Sequence, residues 1–347
     1  MNIYENELYL EDVKYVQNLD LPWEKLKSKS FLISGATGLL GSFLVDVLVD
    51  KGCKIYALGR SEIRAKQRFE KIWDKIKFVK YDINNPIEGE FPEHVDYVIH
   101  LASNTHPVAY STDPIGTITT NILGIKNILD FASSHSSIRT MFASSNEVYG
   151  ENRGDVELFD ENYCGYINCN TLRAGYNESK RCGEALCQAY IKQKDLDVVI
   201  ARFTRSYGPT ILSTDTKALS QFINKSLNNE DIVLKSDGMQ YYSYAYVADS
   251  ISGLLTILLK GEKGEAYNIA DEKSDIRLKD LAKIVADFSN KKVVFDLPTE
   301  SEKQGFSKAT KARLDGSKLK ALGWNMKYSI EDGIKRDLTI LKQLNKD

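Results

Sequence analysis

A chain of 347 residues with 42% hydrophobic and 27% charged side chains is long for a single core and ordinary for a soluble enzyme, which fits one large α/β domain carrying a smaller lobe. A formal net charge of −2 offers no general attraction to nucleic acid or anionic lipid, so any phosphate site has to be local. The apolar stretch Ile251–Leu259 falls short of the roughly 20 residues a membrane span needs, and an opening that carries Glu5, Glu7, Glu11 and Asp12 is not a secretion signal, so no membrane contact and a cytoplasmic location are expected.

Residues 1–28 form an N-terminal extension with Leu8, Leu10, Val13, Val16 and Trp23, expected to pack on the body or on a partner subunit. From 29 to 208 strands alternate with amphipathic helices. The predicted strands are Phe31–Ser34, Lys54–Leu58, Lys77–Lys80, Asp96–Ala102, Arg139–Ser144 and Val198–Phe203; the helices between them include Leu39–Lys51, Ile115–Ser134 and Leu172–Lys192. Almost wholly apolar strands in such an alternation imply a parallel sheet covered on both faces, the doubly wound Rossmann arrangement. After Pro209 the regularity fades. Helices near 216–228, 248–260, 278–288 and 330–344 mix with short strands near 231–235, 266–270 and 292–296. Residues 209–347 are therefore expected to form a smaller C-terminal α/β substrate lobe, with about 244–262 packing back on the Rossmann domain.

The first strand runs into Gly35-Ala36-Thr37-Gly38-Leu39-Leu40-Gly41, a GxxGxxG at the opening of a helix. Gly35 permits the tight turn, Gly38 lets the backbone approach a diphosphate, and Gly41 lets helix and strand pack closely. The anion then meets free N–H groups and the positive end of the helix dipole. The five cysteines, Cys53, Cys164, Cys169, Cys182 and Cys187, are odd in number and form no CxxC, and His94, His100, His106 and His135 show no ligand spacing. Neither a disulfide framework nor a metal site is expected.

Further strings follow in order. His100-Leu101-Ala102-Ser103 ends the fourth strand, Ser144-Ser145-Asn146-Glu147-Val148-Tyr149-Gly150 the fifth, and Tyr176-Asn177-Glu178-Ser179-Lys180 supplies YxxxK. Tyr207-Gly208-Pro209, Tyr246-Val247-Ala248-Asp249 and Tyr267-Asn268-Ile269-Ala270 come later. Together with the glycine turn these resemble the extended short-chain dehydrogenase/reductases of the epimerase/dehydratase type. The resemblance implies a nicotinamide cofactor held by Gly35, Thr37, Gly38, Leu39, Leu40 and Gly41, by Asp82 and Ile83 at the adenine, and by Leu101, Ala102 and Ser103. It implies a nucleotide-diphosphate sugar as substrate and a homodimer.

Tyr176 and Lys180 are four apart on a helix, hence on one face. A neighbouring ammonium favours a phenolate, so Lys180 is expected to lower the pKa of Tyr176 for proton exchange with a sugar hydroxyl. By resemblance Lys180 also holds the nicotinamide ribose and Ser145 bonds the reacting oxygen. Asn146 and Glu147 stand where 4,6-dehydratases of this kind carry Asp and Glu. Asn cannot donate a carboxyl proton, which argues against dehydration and leaves Asn146 as a substrate contact, while Glu147 remains a candidate base.

Two places depart from the family pattern. Where NAD-binding members carry an acidic residue, the chain reads Leu58-Gly59-Arg60-Ser61, with Arg64 one turn on. A guanidinium accommodates a 2′-phosphate, so NADP is favoured, with NAD open through Glu62 nearby. Where relatives hold the substrate phosphates with Asn and two Arg, the chain has Arg205, Thr210 and Tyr242. Arg205 is expected to act as the diphosphate clamp. The run Tyr166–Tyr176, with Arg173, resembles the corresponding run of UDP-glucuronate decarboxylases. The expected activity is NADPH-dependent reduction of a nucleotide-linked keto sugar for surface polysaccharide synthesis. The alternatives are an NAD-retaining decarboxylase or 4-epimerase and, more remotely, a non-catalytic cofactor-binding protein.

Overall fold

The computed structural model describes residues 2–105, 110, 112–212, 215–296 and 311–345. His106 lies outside them.

Seven parallel strands form the central sheet: β1 (Ser30–Ser34), β2 (Lys54–Gly59), β3 (Ile76–Lys80), β4 (Tyr97–His100), β5 (Arg139–Ser145), β6 (Val198–Phe203) and β10 (Ala266–Ile269). Their order is β10-β6-β5-β4-β1-β2-β3. The chain winds outward from β1 to β3, then returns to lay β4 on the other side of β1. That reversal leaves a crevice beyond the carboxyl ends of β1 and β4, where open α/β sheets bind their ligands. The strands are apolar because both faces are covered; every residue of β1 and β4 is buried. The fourth strand stops at His100, short of the expected Ala102; beyond it the N–H groups of Leu101 and Ala102 donate to the carbonyl and the hydroxyl of Ser34.

Helix α1 (Glu7–Gln17) lies in the N-terminal extension. Helices α2 (Leu39–Val49), α3 (Glu62–Arg68), α4 (Pro114–Ser134) and α5 (Ala174–Lys194) follow strands of the sheet. The last runs two residues past the expected Lys192 and stops where Asp195 adopts a left-handed conformation at φ 53°. After α6 (Ala218–Leu227), helix α7 (Val247–Lys260) is buried from Val247 to Leu259. A helix buried on every side has to be internal, and α7 packs against α1, α2 and β6. Thus α7 and β10 both come from the 209–347 segment and sit in and against the large sheet.

A second sheet runs through the aromatic segment Tyr241–Tyr246. Strand β9 (Tyr241–Tyr246) pairs with β7 (Arg205–Tyr207), β11 (Asp275–Arg277) and β13 (Lys311–Ala312). A two-stranded pair, β8 (Ile232–Leu234) with β12 (Val293–Phe295), α8 (Leu278–Phe288), α9 (Ser317–Ala321) and α10 (Ile330–Leu344) complete this half. The N-terminal extension is stitched to the body through α1. Asp46 on α2 accepts from Tyr4, Tyr9 and Arg68, and Asp12 accepts from Tyr246, Tyr328 and Arg336 at 2.6–2.7 Å. Among the described residues no helix is long and apolar enough to cross a membrane.

Candidate active site

Gly35, at φ 72°, ends β1 against the backbone that follows β4: a Cβ there would lie 2.8 Å from the amide nitrogen of Ala102. A Cβ on Gly41 would lie 2.2 Å from the carbonyl oxygen of Gly35, so only glycine lets α2 sit this close to β1. Gly38 caps α2 with no side-chain hydrogen bond. The first N–H groups of α2, including those of Leu39 and Leu40, therefore open the helix toward the crevice, the arrangement that suits a diphosphate. The residues fit a dinucleotide. Thr37 sits half-buried in the turn. Ile83 is packed under α4 rather than exposed, and Asp82 is drawn into a turn by the backbone N–H and side chain of Asn84.

Tyr176 enters from the first turn of α5 and is 5% exposed. The side chains of Ser145, at the end of β5, and Ser103, just past β4, act on its hydroxyl. Burial pushes the phenol up to about 12; the two serines oppose the rise and the Glu147 carboxylate adds to it. The expected lowering by Lys180 is therefore not what the fold produces. The Lys180 ammonium donates to the carbonyl of Ala143 at 2.9 Å, and its own pKa is lowered to about 8 by burial. Desolvation of a phenolate outweighs an ammonium whose hydrogen bond goes elsewhere. Ser103 also donates to Asn121, which donates to Ser179, which donates to the Tyr176 carbonyl, at 2.6–2.8 Å. This buried relay ties α4 to α5 and fixes the tyrosine. His100 is held neutral, pushed down to about 3 by burial and by Lys180, and shares a hydrogen bond with Ser34.

Glu147 stands beside this centre on the turn after β5. One carboxylate oxygen accepts from Arg173 at 2.9 Å and from Asn177 at 3.2 Å. The other faces Arg205 at 4.0 Å. Arg205, on β7, lies with its guanidinium centre 3.5 Å from the centroid of the Tyr242 ring on β9. Arg173 lies over Tyr110 at 5.0 Å, and the Tyr110 ring packs on that of Tyr176 at 4.9 Å. One carboxylate thus lies between two guanidiniums, bonded to Arg173 and 4.0 Å from Arg205, at the edge of Tyr176. Among the described residues no cluster of side chains suits a metal ion.

Residues 31–270 match the model of the NAD dependent epimerase/dehydratase family. The chain belongs to that family. UDP-glucuronic acid decarboxylase 4 of Arabidopsis thaliana is 30% identical over 89% of this chain and 68% of its own length. UDP-glucuronic acid decarboxylase 1 of Xenopus tropicalis is 30% identical over 89% of this chain and 71% of its own. Among solved structures, UDP-glucose 4-epimerase of Thermotoga maritima, with UDP-glucose, has a TM-score of 0.78 at 23% identity, covering 91% of this chain and 99% of that one. UDP-glucuronic acid 4-epimerase of Bacillus cereus, with UDP-glucuronic acid and NAD, scores 0.74 at 22% identity, covering 91% and 99%. These two likenesses establish the fold.

Within an epimerase/dehydratase framework, the fold gathers Ser145, Glu147, Arg173, Tyr176, Lys180, Arg205 and Tyr242 around one end of the crevice. Asn146, 7% exposed, lies beneath them. Arg60, Ser61 and Arg64 are exposed past β2, at the far end; Ser61 caps α3, and Arg60 has no ion-pair or hydrogen-bond partner among the described residues. Thr210 donates to the carbonyl of Leu39 at 2.8 Å, tying the segment after β7 to the glycine turn. Sequence reasoning missed Asn121, Tyr110 and Asn177. Asn121 had a signal, a polar residue at a buried helix position. The other two had none.

Proposed function

We propose that the protein acts on a nucleotide-diphosphate-linked uronic acid, oxidising a ring hydroxyl, losing the carboxyl group as CO2, and returning the hydride. The observation that carries this reading is the pair Arg173 and Arg205 on the single carboxylate of Glu147, next to Tyr176. The pocket holds one positive charge more than it answers at the reacting end, which suits a sugar that is itself acidic. The decarboxylases among the sequence relatives support the same reading. They move weight away from the net reduction expected from Arg60.

Tyr176, positioned by Ser145 and Ser103, accepts the hydroxyl proton and later returns it. A bound nicotinamide dinucleotide supplies the hydride acceptor and a positive charge that offsets the burial of the phenol. Lys180, anchored on Ala143, is placed to hold the ribose of that cofactor. Oxidation two carbons from the carboxylate makes a β-keto acid. The bond to the carboxyl carbon then breaks, its electrons pass to the ketone oxygen as CO2 leaves, and the carbon is reprotonated. Glu147, held by Arg173 and Asn177, would relay that proton from solvent water to the carbon. Asn146 has no proton to give a departing hydroxyl, which leaves dehydration without its acid.

Because the hydride returns, either dinucleotide can serve, and the unpaired Arg60 favours acceptance of NADP beside NAD. Ile115, Ile118, Leu123 and Leu172 are exposed along α4 and before α5. They support pairing of two copies through this face, which light scattering would read as twice the chain mass. Incubation of the full-length protein with NAD and UDP-glucuronate should release CO2 without accumulating NADH. Epimerised UDP-glucuronate with no CO2 would replace decarboxylation by epimerisation. NADPH consumed in proportion to a keto sugar would restore the reductase.

A further inference from the structure

The two guanidiniums at Glu147 are not equivalent. Arg173 is fully engaged: one nitrogen donates to Glu147 at 2.9 Å, the other to Asn177 at 3.1 Å, and its face covers Tyr110. Arg205 is mounted but unanswered. Its plane rests on Tyr242, itself 7% exposed, on the neighbouring strand of the small sheet. One terminal nitrogen reaches Glu147 only at 4.0 Å, beyond hydrogen-bond distance, and the other is buried with no hydrogen-bond partner among the described residues.

A buried carboxylate can shed its charge by taking a proton; a guanidinium cannot release one. An arginine in this setting keeps its charge and needs an anion. The stacked ring fixes the plane and leaves one terminal nitrogen unanswered, and a carboxylate brought to both terminal nitrogens would satisfy it through two parallel hydrogen bonds. Two anions of the substrate could fill it, the diphosphate and the sugar carboxylate. Position decides between them. Arg205 borders Glu147, which is joined to the Tyr176 ring through Arg173 and Tyr110, so its unanswered nitrogen lies toward the reacting end of the sugar.

We propose that Arg205 is the specificity-determining residue that binds the sugar carboxylate, while Arg173 holds Glu147. This assignment rests on the uronic-acid reading above and replaces the diphosphate clamp expected from sequence. Arg205 departs from the asparagine of the family pattern, so acidic-sugar selectivity in this chain comes from its own substitution.

The test is direct titration of the full-length protein, saturated with NAD, with UDP-glucuronate and with UDP-glucose. The two ligands share the diphosphate and differ at the carboxylate. The parent should prefer UDP-glucuronate. Arg205→Gln should weaken UDP-glucuronate by about 10- to 100-fold and leave UDP-glucose within about threefold. Arg205→Lys, which keeps a charge but loses the fork, should recover part of the preference. Unaltered NAD affinity reports that each variant is folded. Equal losses for both ligands would assign Arg205 to the diphosphate and overturn the proposal, as would no loss for either. A parent that binds the two ligands alike would instead overturn the uronic-acid reading itself, and this assignment with it.

Discussion

Two regions of the molecule bury acids and guanidiniums together, with opposite balances. At the seam where the N-terminal extension meets α7 and α10, acids are in excess. Asp12, Asp249 and Asp337 are all buried, with Arg336 as the guanidinium on Asp12. Around Glu147, beside Tyr176, the excess is positive, with one guanidinium bonded to the carboxylate and a second 4.0 Å away. Burial resolves the seam by protonation: Asp249 is pushed up to about 7, and Asp337, both of whose oxygens lack a partner among the described residues, is pushed well above its ordinary value. Arginine has no such exit at any working pH. Excess acid therefore becomes a property of stability, and excess guanidinium becomes a demand for a ligand.

The largest expected effect falls on the other contact of the N-terminal extension, at α2 and α3. Arg68 is the cation on Asp46, with 14% and 4% of the two side chains exposed. Arg68→Met leaves that carboxylate buried with only the tyrosine hydroxyls of Tyr4 and Tyr9, and should lower unfolding free energy by about 3–5 kcal/mol in urea titrations. Turnover per folded molecule should not change. If it fell as well, the two regions would not be independent. At the other region, Tyr176→Phe should lower kcat by about 100-fold or more with NAD affinity kept, because only the proton-transferring hydroxyl is removed. A variant with more than about a tenth of parental kcat would take Tyr176 out of the chemistry.

The pH dependence sharpens the contrast. Asp249 and Asp275, raised to about 7 and about 6, keep their protons when folded, whereas unfolded aspartates release theirs near 4. Between those values the folded state binds more protons, so stability should fall as pH rises, by about 1 kcal/mol per unit. His100, pushed down to about 3, works against this below about pH 6.5, where its unfolded form charges. It is one group against several. Urea midpoints at pH 5.0, 6.0 and 7.0 (approximately, and at constant salt) should decline in that order, and Asp249→Asn should flatten the decline. Stability that instead rose across this window would mean the seam acids are ionised. The smallest effect is expected at exposed Arg60. Arg60→Asp should weaken NADP by about tenfold and leave NAD nearly unchanged in fluorescence titrations. Equal affinities before and after would remove Arg60 from cofactor choice.

Local chemistry explains what could be read early. The sheet strands, α2, α4, α7 and the glycine turn announce themselves because their signals are short-range: apolar runs, a helical period, and a turn that Gly35 can make and a Cβ would block. The helices near 248–260, 278–288 and 330–344 were likewise legible. The strands β7 and β9 were not. Tyr241–Tyr246 reads as an aromatic cluster, and only pairing with segments far along the chain makes it a strand. Tyr176 and Lys180 are neighbours on one helix turn, so their adjacency was fixed by sequence. The direction of the Tyr176 shift was not, because it depends on how deeply the phenol is buried and on where the Lys180 hydrogen bond goes.

The sequence by itself determined the parallel sheet, the glycine turn and the adjacency of Tyr176 and Lys180, all set by residues within a few positions of one another. Only the tertiary structure decided what Arg205 faces. Arg173, 26 residues from Glu147, reaches it from α5, and Arg205 arrives from a strand whose place is set by β9. Charge balance in a pocket is a sum over groups from distant segments, and no local pattern carries that sum.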